Sequence, residues 1–358
     1  MFPGQSRETS VLVYELNPLD DPRWGKFLLR HPDAGVFHTP GWLEALRRTY
    51  GYEPFAVTTA APGEDLRNGI AFCRVKSWLT GNRAVSLPFA DHCQPLVESP
   101  ESLATLMAAL RKEQASAKWK YVELRPRTAD GFQEDTMPFG ESAKFHFHTL
   151  DLRPDLDTLY RGLHKSCVRR KIHRAEQANL VYEEGCSESL LARFHHLLLM
   201  TRRRHQLPPQ PRGWFRNLLE CMGEAARIQM VSNEGQPIAS ILTLFYKNTL
   251  VYKYGCSDSR FHNLGGMPLL FWKAIQEGKR RGAREFDLGR SETDNPGLVA
   301  FKGHLGATCS PLTYFSYPPL VASSTASSWK MKIVKSTFGW LPDTLLITAG
   351  RLLYRHVG

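Results

Sequence analysis

At 358 residues and 42% hydrophobic content, with no run near the roughly 20 apolar residues that a bilayer crossing needs, the chain reads as a globular protein with room for two domains rather than an integral membrane protein. Lys and Arg number 46 against 35 for Asp and Glu, a formal charge of +11, which favours an anionic partner (nucleic acid, a phosphorylated substrate or a membrane surface) without choosing among them. The seven cysteines show no paired spacing, so neither a disulfide framework nor a zinc site is expected, and the natural compartment is a reducing cytoplasm.

In chain order, residues 11–16 read as a strand and 24–30 as a short helix. Thr39 can cap a helix that Pro40 opens, with Trp42, Leu43, Leu46 and Tyr50 on its buried face. Strands over 55–59, 69–75 and 84–89 follow, separated by Pro, Gly and Asn turns, then an amphipathic helix over 103–117 and a strand over 121–125. Mixed strands and helices over about 150 residues make one α/β domain. At the end of the 84–89 strand, Asp91 and His92 form an acid/base pair, a substrate-positioning group or a solvated turn with a capping Asp, and with no partner visible in the sequence the turn is the expected reading.

A strand over 145–152 leads into the second half. A helix over 154–163 gives way at Ser166 to a new helix, capped by Ser166, whose apolar stripe is Val168, Ile172 and Ala175. Its outer face carries Arg169, Arg170, His173 and Arg174, with Lys165 and Lys171 at the margins; this is either a solvated helix face or, since acidic neighbours at helical spacing are almost absent, a set of cations available to an external anion. A helix over 190–204 ends in Arg202-Arg203-Arg204, and the prolines that follow present His205 at its end. After a helix over 214–222 come a strand over 227–232 and a strand pair, 238–245 and 250–254, joined by Lys247-Asn248.

The stretch that follows is the most informative. Tyr254 leads through Arg260 to Gly265-Gly266, and Pro268 opens a helix that ends at Gly282. A strand, a glycine pair and a helix together aim free backbone N–H groups and a positive dipole end at an anion such as a phosphate or an oxyanion; the alternative is an ordinary tight turn. A strand over 285–291 then delivers Asp287, Arg290 and Ser291, and Lys302 follows. So many polar groups at one strand end are costly to bury unpartnered, which points to a cleft. Beyond Pro319 a Ser-rich link leads to a basic amphipathic tail, expected either to pack on the body or to touch an anionic membrane surface from the cytoplasmic side.

On Phe37-His38-Thr39-Pro40-Gly41-Trp42, the basic helix through Arg169-Arg170-Lys171-Ile172, the loop from His205 to Pro211, the run Gly282 to Ser291 and Phe301-Lys302, the chain resembles the FemAB-like branch of the GNAT acyltransferase superfamily, and within it the FemAB-related proteins of PEP-CTERM/exosortase systems. The resemblance covers residues 36–317. It implies an α/β (α+β) fold of tandem GNAT-like domains, each a mixed sheet flanked by helices, over residues 1–150 and 151–320, with 321–358 as the basic tail. It also implies N-acyl or aminoacyl transfer to an amine of a cell-envelope, peptidoglycan or exopolysaccharide precursor. The donor would be acyl-CoA or an aminoacyl-tRNA, with no tightly bound cofactor and no metal. CoA-binding members of the superfamily usually carry Arg/Gln-x-x-Gly-x-Gly/Ala; here Arg260 is followed by Phe261-His262-Asn263-Leu264-Gly265-Gly266, which leaves a donor other than CoA open.

These residues assign catalysis to His205, Asp287, Arg290 and Lys302. Substrate binding falls to Lys165, Arg169, Arg170, Arg174, Tyr254, Gly265, Gly266 and Ser291. An RNA-binding module or a catalytically silent scaffold of an envelope-assembly system is the competing reading; against the first, the aromatics do not interleave with the cations as stacking platforms.

Overall fold

The computed structural model describes residues 11–129, 132, 139–320 and 342–357. The strands are β1 (Tyr14–Leu16), β2 (Glu53–Thr58), β3 (Ile70–Val75), β4 (Arg83–Val85), β5 (Val122–Leu124), β6 (Gly140–Asp151), β7 (Val181–Gly185), β8 (Ala226–Asn233), β9 (Gln236–Tyr246), β10 (Thr249–Ser257), β11 (Glu285–Glu292) and β12 (Thr308–Tyr317). They form one mixed sheet in the order β1-β2-β3-β4-β5-β12-β6-β11-β10-β9-β8-β7. The two α/β halves share this sheet because β12, late in the chain, pairs with β5 of the first half along one edge and with β6 along the other.

The helices are α1 (Pro22–Arg30), α2 (Pro40–Tyr50), α3 (Pro100–Ser116), α4 (Leu156–Gly162), α5 (Arg170–Gln177), α6 (Glu188–Arg204), α7 (Arg212–Met222), α8 (Gly266–Arg280), α9 (Pro296–His304) and α10 (Asp343–Val357). One core on a single face of the sheet joins the halves: Trp24, Trp42 and Leu46 from α1 and α2 pack with Phe194, Trp214 and Phe215 from α6 and α7. Trp42 meets Trp214 edge to face at 5.3 Å, the geometry that aromatic quadrupoles favour. On the other face α3 covers β2, β3 and β5, while α5 and α8 cover β9 to β11.

Local signals account for most boundaries. The Thr39 hydroxyl accepts the Trp42 amide at the start of α2, Ser99 and Ser187 do the same for α3 and α6, and Gly51 closes α2 in the left-handed conformation. Three expectations need correction. The segment expected to start a helix at Ser166 is capped by His164, whose ring accepts the Cys167 amide, and passes through a π-helical turn, Lys165–Arg169, before α5. The strand expected over 84–89 stops at Val85, because Leu87 and Phe89 take positive φ (48° and 60°), which regular strand pairing of non-glycine residues does not accommodate. The strand expected over 145–152 begins earlier, at Gly140, and runs for twelve residues. The tail residues Trp329, Lys330, Lys332, Ile333, Lys335 and Phe338 lie outside the described residues.

Candidate active site

The site grows from a fork in the sheet. β10 and β11 run parallel and pair only at Thr249–Glu285, Leu250–Phe286 and Val251–Asp287, although β10 continues to Ser257 and β11 to Glu292. Beyond the last pair each strand carries an irregularity against its other neighbour, β10 between Tyr252 and Tyr254 and β11 between Asp287 and Arg290. Bulges raise local twist and re-aim side chains, so the two strands part and their polar residues converge on the gap.

At the fork, Asp287 is buried, with one carboxylate oxygen accepting the Gly289 amide (2.7 Å) and the other 2.7 Å from His92 Nε2. The His92 ring is held by edge contacts with Phe37 and Phe147. Beside it, Asp91 pairs with Lys253 at 3.3 Å, and Tyr314 donates its hydroxyl proton to the Asp91 carbonyl (2.6 Å) while accepting from Arg290 (3.0 Å). Burial alone would raise the Asp91 pKa, but the charges of Lys253 and Arg290 bring it below the ordinary carboxylate range. Lys253 goes down, because burial outweighs its attraction to Asp91. Gly289 adopts φ +72°, and a Cβ there would lie 2.6 Å from Asp91 Oδ2, so only glycine lets the bulge pass Asp91.

Lys302, from the last turn of α9, is almost fully buried and donates to the carbonyls of Gly289 and Arg290, both at 2.9 Å. Burial pushes its pKa down to about 8, against the pull of Asp91 and Asp287. An ammonium has three protons, so one stays free of these carbonyls. His148, on β6 across from the bulge, is buried with neither ring nitrogen hydrogen-bonded; burial first and the Lys302 charge second bring it down to about 4.

Two cavities flank the fork. One, of about 980 Å³, is lined by His38, His92, Arg127, Val251 and Asp287, among others. The other, of about 620 Å³, is lined by Tyr252, Lys253, Tyr254, His205, Gly266 and Phe301, with Lys171 and Arg202 at its cationic side. Consecutive residues of β10, Val251 and Tyr252, therefore face different cavities.

Of the residues singled out in the sequence, Asp287, Arg290 and Lys302 come together at the bulge. His205 caps the end of α6, exposed, and lines the smaller cavity; burial and the charges of Arg204 and Arg202 lower its pKa. No hydrogen bond or ion pair among the described residues joins it to the other three. Tyr254 is buried and accepts from the Trp214 indole at 2.9 Å. Gly265 takes φ +80° hard against Lys171, where a Cβ would meet the Lys171 carbonyl at 2.2 Å, and Gly266 begins α8 at the cavity wall. Ser291 is buried with no partner for its hydroxyl. Lys165, Arg170 and Arg174 are exposed, Arg169 is half-buried, and Arg174 donates to the Asn263 carbonyl at 3.0 Å. Asp91, His92, Lys253 and Tyr314 were not among the assigned site residues; only the polar run after β4 hinted at the first two. As for metals, His164, Cys167 and His304 bring ligand atoms within 4.8 Å of one another, but His164 Nδ1 is already engaged by the Cys167 amide, a poor starting state for coordination.

Residues 164–302 match the model of the acetyltransferase (GNAT) domain. Over most of its length the fold is similar to those of several solved structures. The crystal structure of FemX superposes with a TM-score of 0.68 at 13% identity, covering 87% of this chain and 97% of FemX. A tandem GNAT protein from the clavulanic acid biosynthesis pathway gives 0.54 at 14% identity (85% and 97%), and L-PGS from Bacillus licheniformis gives 0.50 at 14% (78% and 88%). No curated protein matches the chain. Among the described residues no helix is long and apolar enough to cross a membrane.

Proposed function

We propose that this protein moves an acyl or aminoacyl group from an activated, anionic donor in the 620 Å³ cavity to a primary amine entering through the 980 Å³ cavity. The acceptor on this reading is a precursor of the cell envelope, of peptidoglycan or of exopolysaccharide. The observation that carries it is the fork: a His–Asp pair opens to one cavity, a buried lysine sits beside the same bulge, and the other cavity ends at a helix N-terminus.

Asp287 accepts a hydrogen bond from His92 Nε2–H, which leaves the Nδ1 lone pair free to take a proton from the acceptor's ammonium. The amine then adds to the donor carbonyl, and the third proton of Lys302 meets the oxyanion that forms. Collapse of the tetrahedral intermediate expels the donor's thiol or ribose hydroxyl, which regains the proton. Arg290, held over the Phe145 ring at 4.1 Å and bonded to Tyr314, keeps the bulge carbonyls oriented towards Lys302. His205, Gly265 and Gly266 contact the donor, and the exposed Lys165, Arg170 and Arg174 with half-buried Arg169 favour a donor whose phosphates extend beyond the cavity, as those of an aminoacyl-tRNA do.

Mass spectrometry of envelope extracts from cells with and without the gene tests the reading. It predicts an amine-bearing precursor that carries an N-acyl or N-aminoacyl increment only when the gene is present. Identical precursor masses in both extracts would refute it.

A further inference from the structure

Nine large hydrophobic side chains are exposed among the described residues, and five of them, Trp78, Leu79, Leu345, Leu352 and Val357, lie on α10 and the one turn that touches it. The turn and the helix form a single surface. Trp78 meets the His356 ring edge-on at 5.5 Å, Ser77 bonds His356 Nδ1 (3.0 Å), and Thr80 and Arg83 both donate to the His356 carbonyl. Leu345 and Leu352 are seven residues apart, on one line along the helix. Beside that line, on the same outer face, stand Arg351 and Arg355, exposed and with no carboxylate partner among the described residues. The inner face is committed elsewhere: Leu346 is fully buried, and Tyr354 donates to the Pro208 carbonyl and accepts from Tyr52.

An 87% exposed tryptophan beside a leucine row is expensive in water. Here the groups beside the apolar row are cations without carboxylate partners and the aromatic sits at the patch edge, a charge complement to the headgroup boundary of an anionic bilayer. We infer that the outer face of α10 and the Trp78–Leu79 turn form a docking surface for an anionic lipid bilayer, with Trp78 and Leu352 entering the interface and Arg351 and Arg355 meeting lipid phosphates. Because the inner face of α10 packs on Pro208, just beyond His205, a docked enzyme holds the wall of its smaller cavity about one helix diameter from the lipid.

Co-sedimentation of the full chain with vesicles of phosphatidylcholine, alone or mixed with phosphatidylglycerol, tests the inference. The wild type should sediment with the mixed vesicles and not with phosphatidylcholine alone. Arg351→Gln with Arg355→Gln should weaken binding on the order of thirtyfold, and Trp78→Ser with Leu352→Ser by at least about tenfold, while both keep the wild-type melting temperature because these side chains are exposed. Wild type that ignores phosphatidylglycerol vesicles, or variants that bind as it does, would overturn the inference. So would a wild-type dimer in light scattering that Trp78→Ser with Leu352→Ser turns into monomer, since the face would then belong to a second copy.

Discussion

At Lys302, burial and neighbouring carboxylates act in opposite directions, and burial wins. Its folded pKa, about 8, lies below the ordinary lysine value, so the unfolded chain binds the extra proton between about 8 and 10.5; the burial cost weighs on the fold below that window and is relieved as pH rises through it. Catalysis runs the other way, because only the ammonium can meet an oxyanion. The account predicts that kcat falls as pH rises through about 8, and that Lys302→Arg, charged throughout, loses this limb. Lys302→Ala should lower kcat by about 10²- to 10³-fold, well beyond any loss of folded protein that follows from leaving the Gly289 and Arg290 carbonyls without their donor. A flat wild-type profile from pH 7 to 9.5 would remove the lysine from the chemistry. Lys302 and Asp287 were legible in the sequence as polar groups too costly to leave in a core. Asp91 and His92 were not, because what makes them more than a turn is a pair of distant partners, Lys253 for Asp91 and Asp287 for His92.

Among the elements, the β11 bulge joins local sequence most directly to the site. Gly289 allows φ +72° and the close pass of Asp91, and the bulge turns two carbonyls towards Lys302. Gly289→Ala should destabilise the protein by about 1–3 kcal/mol and lower kcat more than it changes KM, as read from denaturant titration and steady-state kinetics. Wild-type stability and turnover would mean the bulge is ordinary backbone. Periodic stripes made α2, α3, α6 and α8 readable, and Thr39 with Pro40 marked the start of α2; the Ser99 and Ser187 caps went unread, so α3 begins three residues and α6 two residues before the expected starts. The His164 cap and the π-helical turn after it were not readable, because a histidine cap is uncommon and the turn's widening follows from packing.

For the whole molecule, the sheet decides which surfaces can meet. The order of predicted strands and helices leads to the expectation of two α/β halves. The insertion of β12 between β5 and β6 does not follow from that order, since pairing as distant as Tyr317 with Val122 leaves no local trace. It has a consequence for cutting the chain: residues 1–150 expressed alone retain β5 and β6 but lack the strand between them, and should give no cooperative thermal transition by circular dichroism. A sharp transition would show that the first half folds by itself. The same sheet sets two cavities back to back at the fork, so that Val251 and Tyr252, adjacent in sequence, serve different chambers.

That juxtaposition is tested most directly by the rate of label transfer from radiolabelled acyl-CoA and aminoacyl-tRNA to an envelope extract, with wild type, His92→Gln and Asp287→Asn compared after each variant is shown to melt as the wild type does. The account predicts label in an amine-bearing acceptor with the wild type from one of the two donors, and a loss of about 10²- to 10⁴-fold in both variants. Transfer by His92→Gln and Asp287→Asn at the wild-type rate would contradict it.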